Sequence, residues 1–97
     1  MNFTFHPEAE SEFNDSIEYY KDIEPILGFD FATEIYSSIK LIISFPKAWP
    51  EIDSGIHRIL IKRFPFGVLY SLDHDEIYIL AVMHLHRDPD YWKHRIG

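Results

Sequence analysis

Three segments between residues 57 and 84 limit the fold more than any other part of the chain. HRILIKRF (57–64), FGVLYSL (66–72) and EIYILAVMH (76–84) are rich in β-branched and aromatic residues. One residue separates the first two, and the link DHD separates the last two. Runs of this composition and spacing are strands, and strands joined so closely pair antiparallel. The second half of the chain is therefore expected to form a three-stranded meander.

Ahead of residue 46 the period changes. Ala9, Phe13, Ile17 and Tyr20 recur at helical spacing with charges between them. Pro7 suits a first helical turn, and Glu8, Glu10 and Glu12 suit the positive end of the helix. Pro25 disfavours helical geometry at Glu24 and should end this helix. A second helix is expected from about Phe29 to Phe45, with Phe31, Ile35, Ile39 and Ile42 as its stripe and Pro46 as its stop. The two helices should form an antiparallel hairpin. NFTF before them alternates like a short strand, and PKAWPEIDSGI after them has the composition of a loop. A last, short helix is expected from Asp88, an N-cap residue followed by Pro89.

The fold class expected is α+β. An N-terminal strand and the meander complete one antiparallel sheet, the helical hairpin covers one face, and a short C-terminal helix closes the chain. Ninety-seven residues, 46% of them hydrophobic, suffice for one core, so residues 1–97 are taken as a single domain. There is no cysteine, which excludes disulfides and thiolate chemistry and fits a cytoplasmic location. The N-terminus turns acidic too soon for a signal peptide, and no apolar run approaches the ~20 residues that span a bilayer.

The net charge of −7 argues against general nucleic-acid binding. That charge is uneven. Residues 1–39 carry nine acids and Lys21 alone, whereas residues 40–97 carry eight bases, seven acids and five of the six histidines. A local cationic site in the second half remains open.

Strand alternation puts Arg58, Leu60 and Lys62 on one face of the first run, and His57, Ile59, Ile61 and Arg63 on the other. In the third run Tyr78, Leu80, Val82, His84 and His86 share a side if the strand continues. The C-terminal cations would then rim a groove across the open side of the sheet. His84 and His86, with His74 or Asp75, could face a metal ion, but they lack a second pair at ligand spacing, so no metal or cofactor is expected. Arg58, Lys62, Arg63 and Arg87 could instead hold phosphate while His84 or His86 moves protons and Tyr91 or Trp92 stacks on a base, as metal-free RNA cleavage requires. The third option is a protein-partner surface, for which exposed apolar residues beside Arg, Trp and Tyr are suited. A plainly structural role competes with all three. In that role Arg87 and Arg95 pair with nearby acids or helix carbonyls, and Tyr91 and Trp92 anchor the last helix on the sheet.

FHPEAESEFNDSIEYY, LGFDFATEI, IISFPKAWPEI, HRILIKRFPFGVLYSL and IYILAVMHLHRDPDYWKHR occur in that order over nearly the whole chain. As an ordered set they resemble the RelE/ParE toxins of bacterial toxin–antitoxin modules. RILIKRFPFGVLY and ILAVMHLHRDPDYW carry most of the likeness. The resemblance implies a small toxin neutralised by a cognate antitoxin that wraps its helices and sheet, as a hetero-oligomer or a homodimer. It implies one of two targets, the ribosome with its mRNA for RelE-like members or DNA gyrase for ParE-like ones. The acidic composition favours the ParE side, where action is by protein contact and not by catalysis. The alternatives are a ribosome-dependent, metal-independent endoribonuclease and a non-toxic relic that only binds a partner. The matching positions are Arg58, Lys62 and Arg63 on the basic strand, and His84, Arg87, Pro89, Tyr91 and Trp92 at the end. Tyr78 joins them as a candidate contact on the sheet.

Overall fold

The helical half turns on one residue. Glu24 has extended backbone (φ −160°, ψ 129°), so α1 (Pro7–Ile23) stops there and α2 (Pro25–Ser44) starts at the next residue. Pro25 forces this, because it excludes the helical conformation at the residue before it and is itself favoured at a first helical position. The second helix thus begins at Pro25, a full turn earlier than its apolar stripe suggests. The helices come close at Gly28, where a Cβ would lie 2.8 Å from the Lys21 Cβ and 3.0 Å from the Ile17 carbonyl. At the other end His6 caps α1, its Nδ1 accepting from the Glu8 N–H at 3.0 Å.

A computed structural model describes residues 2–96. The strands are β1 (Asn2–Phe5), β2 (Glu51–Asp53), β3 (Ile56–Leu60), β4 (Phe66–Asp73) and β5 (Glu76–His84), in sheet order β1-β5-β4-β3-β2. The meander β3-β4-β5 is antiparallel, as its spacing requires. Its last turn is tighter than DHD suggests. Only His74 and Asp75 lie between the strands, both with positive φ (48° and 64°), which gives a two-residue hairpin whose twist matches the strands.

Four features differ from expectation. β1 runs parallel to β5, with Asn2 opposite Glu76 and Phe5 opposite Ile79, so the sheet is mixed. The segment read as a loop contains the edge strand β2, all three residues of which are exposed. β3 ends at Leu60, so Lys62 and Arg63 lie in the bend after it and do not continue the alternation of Arg58. The last helix does not start at Asp88. Residues 89–92 form turns, and the helical part is one 3-10 turn, Lys93–Arg95.

Two clusters hold the sheet. On the helix side Phe13, Phe31, Ile35, Ile39 and Ile42 meet Ile59, Val68, Ile79 and Val82. The rings of Tyr20, Phe31, Phe64 and Phe66 stand 4.8–6.2 Å apart, pinning the bend after β3 against the helices. On the opposite face Ile56, Leu69, Leu80, Ala81 and Met83 are covered by Trp92. Trp92 is fully buried, and its indole N–H donates to the Pro89 carbonyl at 2.6 Å. The open face of the sheet is therefore closed by the chain's own tail.

A bulge separates the two clusters along β5. Leu69 pairs with Ala81 and Tyr70 with Ile79, leaving Leu80 as the extra residue. One extra residue exchanges the faces beyond it. Ile77, Ile79 and Val82 consequently lie on the helix side, and Tyr78, Leu80 and Met83 on the other. The expected row of Tyr78, Leu80, Val82, His84 and His86 is broken at the bulge, and β5 ends at His84 before His86 is reached.

Candidate functional site

Glu12, in the second turn of α1, is where the C-terminal chemistry converges. Its Oε1 accepts from the Val82 N–H at 3.1 Å and from Arg95 Nη1 at 2.8 Å. Its Oε2 accepts from Arg95 Nη2 at 3.0 Å and from the Tyr91 hydroxyl at 2.5 Å, and lies 3.7 Å from Arg87 Nη1. Glu8, one turn earlier on the same face, meets His94 Nε2 at 2.8 Å and Arg95 Nε at 3.3 Å. That contact with His94 holds the Glu8 carboxyl below its usual range.

The short reach of β1 explains why Glu12 and Arg95 are needed. β1 pairs with β5 only as far as Ile79, so the later residues of β5 present an open sheet edge. Glu12 takes the Val82 N–H on that edge, and Arg95 Nη1 donates to the Leu80 carbonyl at 3.1 Å. The ion pair thus satisfies backbone groups that would otherwise be orphaned or offered to another chain. The structural role expected for Arg95 was a pairing with nearby acids or helix carbonyls. Arg95 bonds instead to a carboxylate 83 residues away in sequence.

Tyr91 lies under two guanidiniums, with Arg87 Cζ 3.9 Å and Arg95 Cζ 4.9 Å from its ring centre. Burial, and then the hydrogen bond to Glu12, push its hydroxyl well above the ordinary tyrosine value. A raised folded-state pKa stabilises the fold below the unfolded value, and that contribution is lost as pH rises through the folded one. In a spectrophotometric titration of the six tyrosines, the last to ionise should therefore disappear in Tyr91→Phe. If that final step survives the substitution, Tyr91 does not hold its proton in this way.

The remaining candidates do not converge. Arg58 lies on the face away from the helices, in a small cleft with Asp53, Asp90, Trp92 and Lys93. Arg63 hydrogen-bonds to Asp30 of α2 at 3.2 Å, and Lys62 is exposed beside it. Tyr78 packs at the margin of the far-side cluster, 6.1 Å from the His6 ring. His84 stacks edge-on against Phe66 (5.1 Å) and His86 (4.9 Å). His74 and Asp75 lie at the far end of β5, roughly 30 Å away at ~3.3 Å per residue, too far to complete a metal site with them. His84 and Arg87 share a groove, of about 530 Å³, between α1 and the end of β5. Glu12 and Asp15 line the same groove, with Tyr19, Ile23 and Val82.

The family model of the ParE toxin of type II toxin–antitoxin systems (parDE) matches residues 3–89. The chain belongs to the ParE toxin family. The match takes in both helices and all of the five strands but Asn2, and ends just before Tyr91 and Trp92. A solved structure described as a chromosomal ParDE TA system from P. aeruginosa is similar, with a TM-score of 0.76 at 17% identity, over 89% of this chain and 97% of the other. At that identity the likeness is one of fold. No curated protein matches the chain by sequence. Among the described residues, no helix of this ParE-family chain is long and apolar enough to cross a membrane.

Proposed function

We propose that this chain is the toxin of a type II toxin–antitoxin pair, held inactive by a cognate antitoxin and acting by protein contact on DNA gyrase. The observation that carries the choice of target class is the capture of the C-terminal residues by Glu12. RNA cleavage requires cations gathered around one phosphate and free groups to move its protons. Here Arg87 is stacked on Tyr91 and drawn toward Glu12, Arg95 is buried against it, and Tyr91 donates its hydroxyl to it. A phosphate entering the groove would face Glu12 and Asp15. Arg58 and Arg63 are directed elsewhere.

The RelE-like alternative, a ribosome-dependent endoribonuclease, retains one supporting observation, since His84 and Arg87 line one groove. The toxin assignment is tested by inducing the chain alone in a bacterial host, and then with the product of the reading frame beside its gene. Growth arrest that the neighbour relieves supports it, and soluble accumulation without arrest contradicts it.

Arg87→Ala is the variant to run in parallel. Arg87 is about half exposed, so its ion pair and ring contact are worth roughly 1 kcal/mol each at most. The variant should lose no more than about 2 kcal/mol of stability while losing toxicity. A large fall in melting temperature would mark Arg87 as structural only.

A further inference from the structure

Gly67 sits inside the meander, opposite Leu60 of β3 on one side and Met83 of β5 on the other. A glycine there weakens a strand and usually marks a close approach. The approach is made by Arg58. A Cβ on Gly67 would lie 3.2 Å from Arg58 Cδ and 3.3 Å from its Cγ. The missing side chain lets the Arg58 stem lie across β4, on the face of the sheet away from the helices.

The guanidinium carried by that stem has no internal use. Arg58 is partly buried, yet among the described residues its side chain makes no ion pair and no hydrogen bond. The two acids that share its cleft, Asp53 and Asp90, are both held by Lys93 Nζ, at 3.6 and 3.2 Å. Partial desolvation of a cation with no acceptor costs stability and points to a ligand that supplies one.

The cleft limits what that ligand can be. Its volume, about 270 Å³, lies below the range of drug-sized pockets and suits a group of one residue's size. Ile52, Met83, Pro89 and Trp92 give it apolar walls. Lys93 is matched by Asp53 and Asp90, so Arg58 leaves room for a single negative charge. A phosphate would bring close to two charges against both acids, whereas a carboxylate brings one and matches the planar fork of an arginine.

We propose that this cleft binds a carboxylate carried on a compact apolar group, with the Arg58 guanidinium donating two N–H bonds to it. The chemistry is that of an apolar residue at a peptide C-terminus, or of a free acid of that size. Gly67 positions Arg58, and Lys93 shields the ligand from Asp53 and Asp90. The site lies across the sheet from the His84–Arg87 groove and does not rest on the toxin assignment.

The test is a titration followed in proton–nitrogen NMR spectra, reading the Arg58 Nε–H, the Gly67 amide and the Trp92 indole N–H. N-acetyl-leucine should shift all three and saturate with a Kd on the order of 1 mM, as suits a ligand of roughly a dozen heavy atoms. N-acetyl-leucinamide and inorganic phosphate should each bind about tenfold more weakly or worse. Arg58→Lys keeps the charge but loses the fork, and should weaken N-acetyl-leucine about tenfold. Gly67→Ala, which displaces the Arg58 stem, and Lys93→Ala, which uncovers the two acids, should each weaken it as well. Melting curves check that the variants are folded. A pentapeptide ending in leucine separates the two sources. If its free-acid form binds more tightly than N-acetyl-leucine and its amidated form does not bind, the site takes a chain terminus; equal binding of the two acids marks a small free acid. Equal binding of N-acetyl-leucine and its amide, a preference for phosphate, or indifference to Arg58→Lys would overturn the proposal.

Discussion

Glu12→Ala should lower the stability of the domain by about 3 kcal/mol or more, the cost of removing one partner of a buried ion pair. For a chain of this size that corresponds to a fall of roughly 12–24 °C in melting temperature, at about 4–8 °C per kcal/mol. The expectation rests on what the substitution leaves behind. Arg95, whose side chain is only 5% exposed, would remain buried without its carboxylate. The Val82 N–H and the Tyr91 hydroxyl would each lose their acceptor. Unsatisfied groups of this kind cost about 1–3 kcal/mol each, although water entering the relaxed site recovers part of it. Glu12→Gln separates charge from hydrogen bonding, since its amide oxygen can still accept from Val82. It should recover part of the loss in urea unfolding. A Glu12→Ala variant within about 1 kcal/mol of the native chain would show that the tail is not held by this pair.

Trp92→Ala should be about as damaging, at roughly 3–5 kcal/mol, the usual cost of deleting a large buried ring. Trp92 is 2% exposed and covers Leu69, Leu80, Ala81 and Met83, the face of the sheet that the helices leave open. Its loss uncovers that face and also frees residues 93–96, which carry Arg95 to Glu12. The two substitutions therefore act on one cooperative element. The double variant should be less destabilised than the sum of the singles by about 1 kcal/mol or more, the signature of coupled sites. Strict additivity in urea unfolding would mean that the indole and the ion pair hold the tail independently.

Much of the fold was legible because its stops are covalent. Pro7, Pro25 and Pro46 bracket the two helices, and the proline geometry at Glu24 is realised as expected. The meander was legible from its short links. The bulge at Leu80 was not, since Ile77 to Met83 is one unbroken apolar run, and only its pairing with β4 shows the extra residue. β2 was missed because Glu51, Ile52 and Asp53 are all exposed at an edge and carry no burial pattern. Fewer features of the site could be read. Tyr91 and Trp92 do pack on the body of the domain, as their size suggested, and Arg87 lies at a groove. Glu12 gave one weak signal, a charge directly before the buried Phe13 in α1. Nothing local ties it to Arg95, because the contact depends on where β5 and the tail finish.

That capture also bears on the target. A cationic, proton-moving site is open in a nuclease and closed here by a carboxylate, so the chain should act on DNA metabolism before it acts on translation. The most direct measurement is pulse-labelling of DNA and protein synthesis in bacteria after induction of the chain alone, with Arg87→Ala beside it. The account predicts that DNA synthesis falls first and that protein synthesis follows later, with neither response in the variant. Arrest of protein synthesis ahead of DNA synthesis, with cleaved messenger RNA, would contradict it and place the activity in the His84–Arg87 groove.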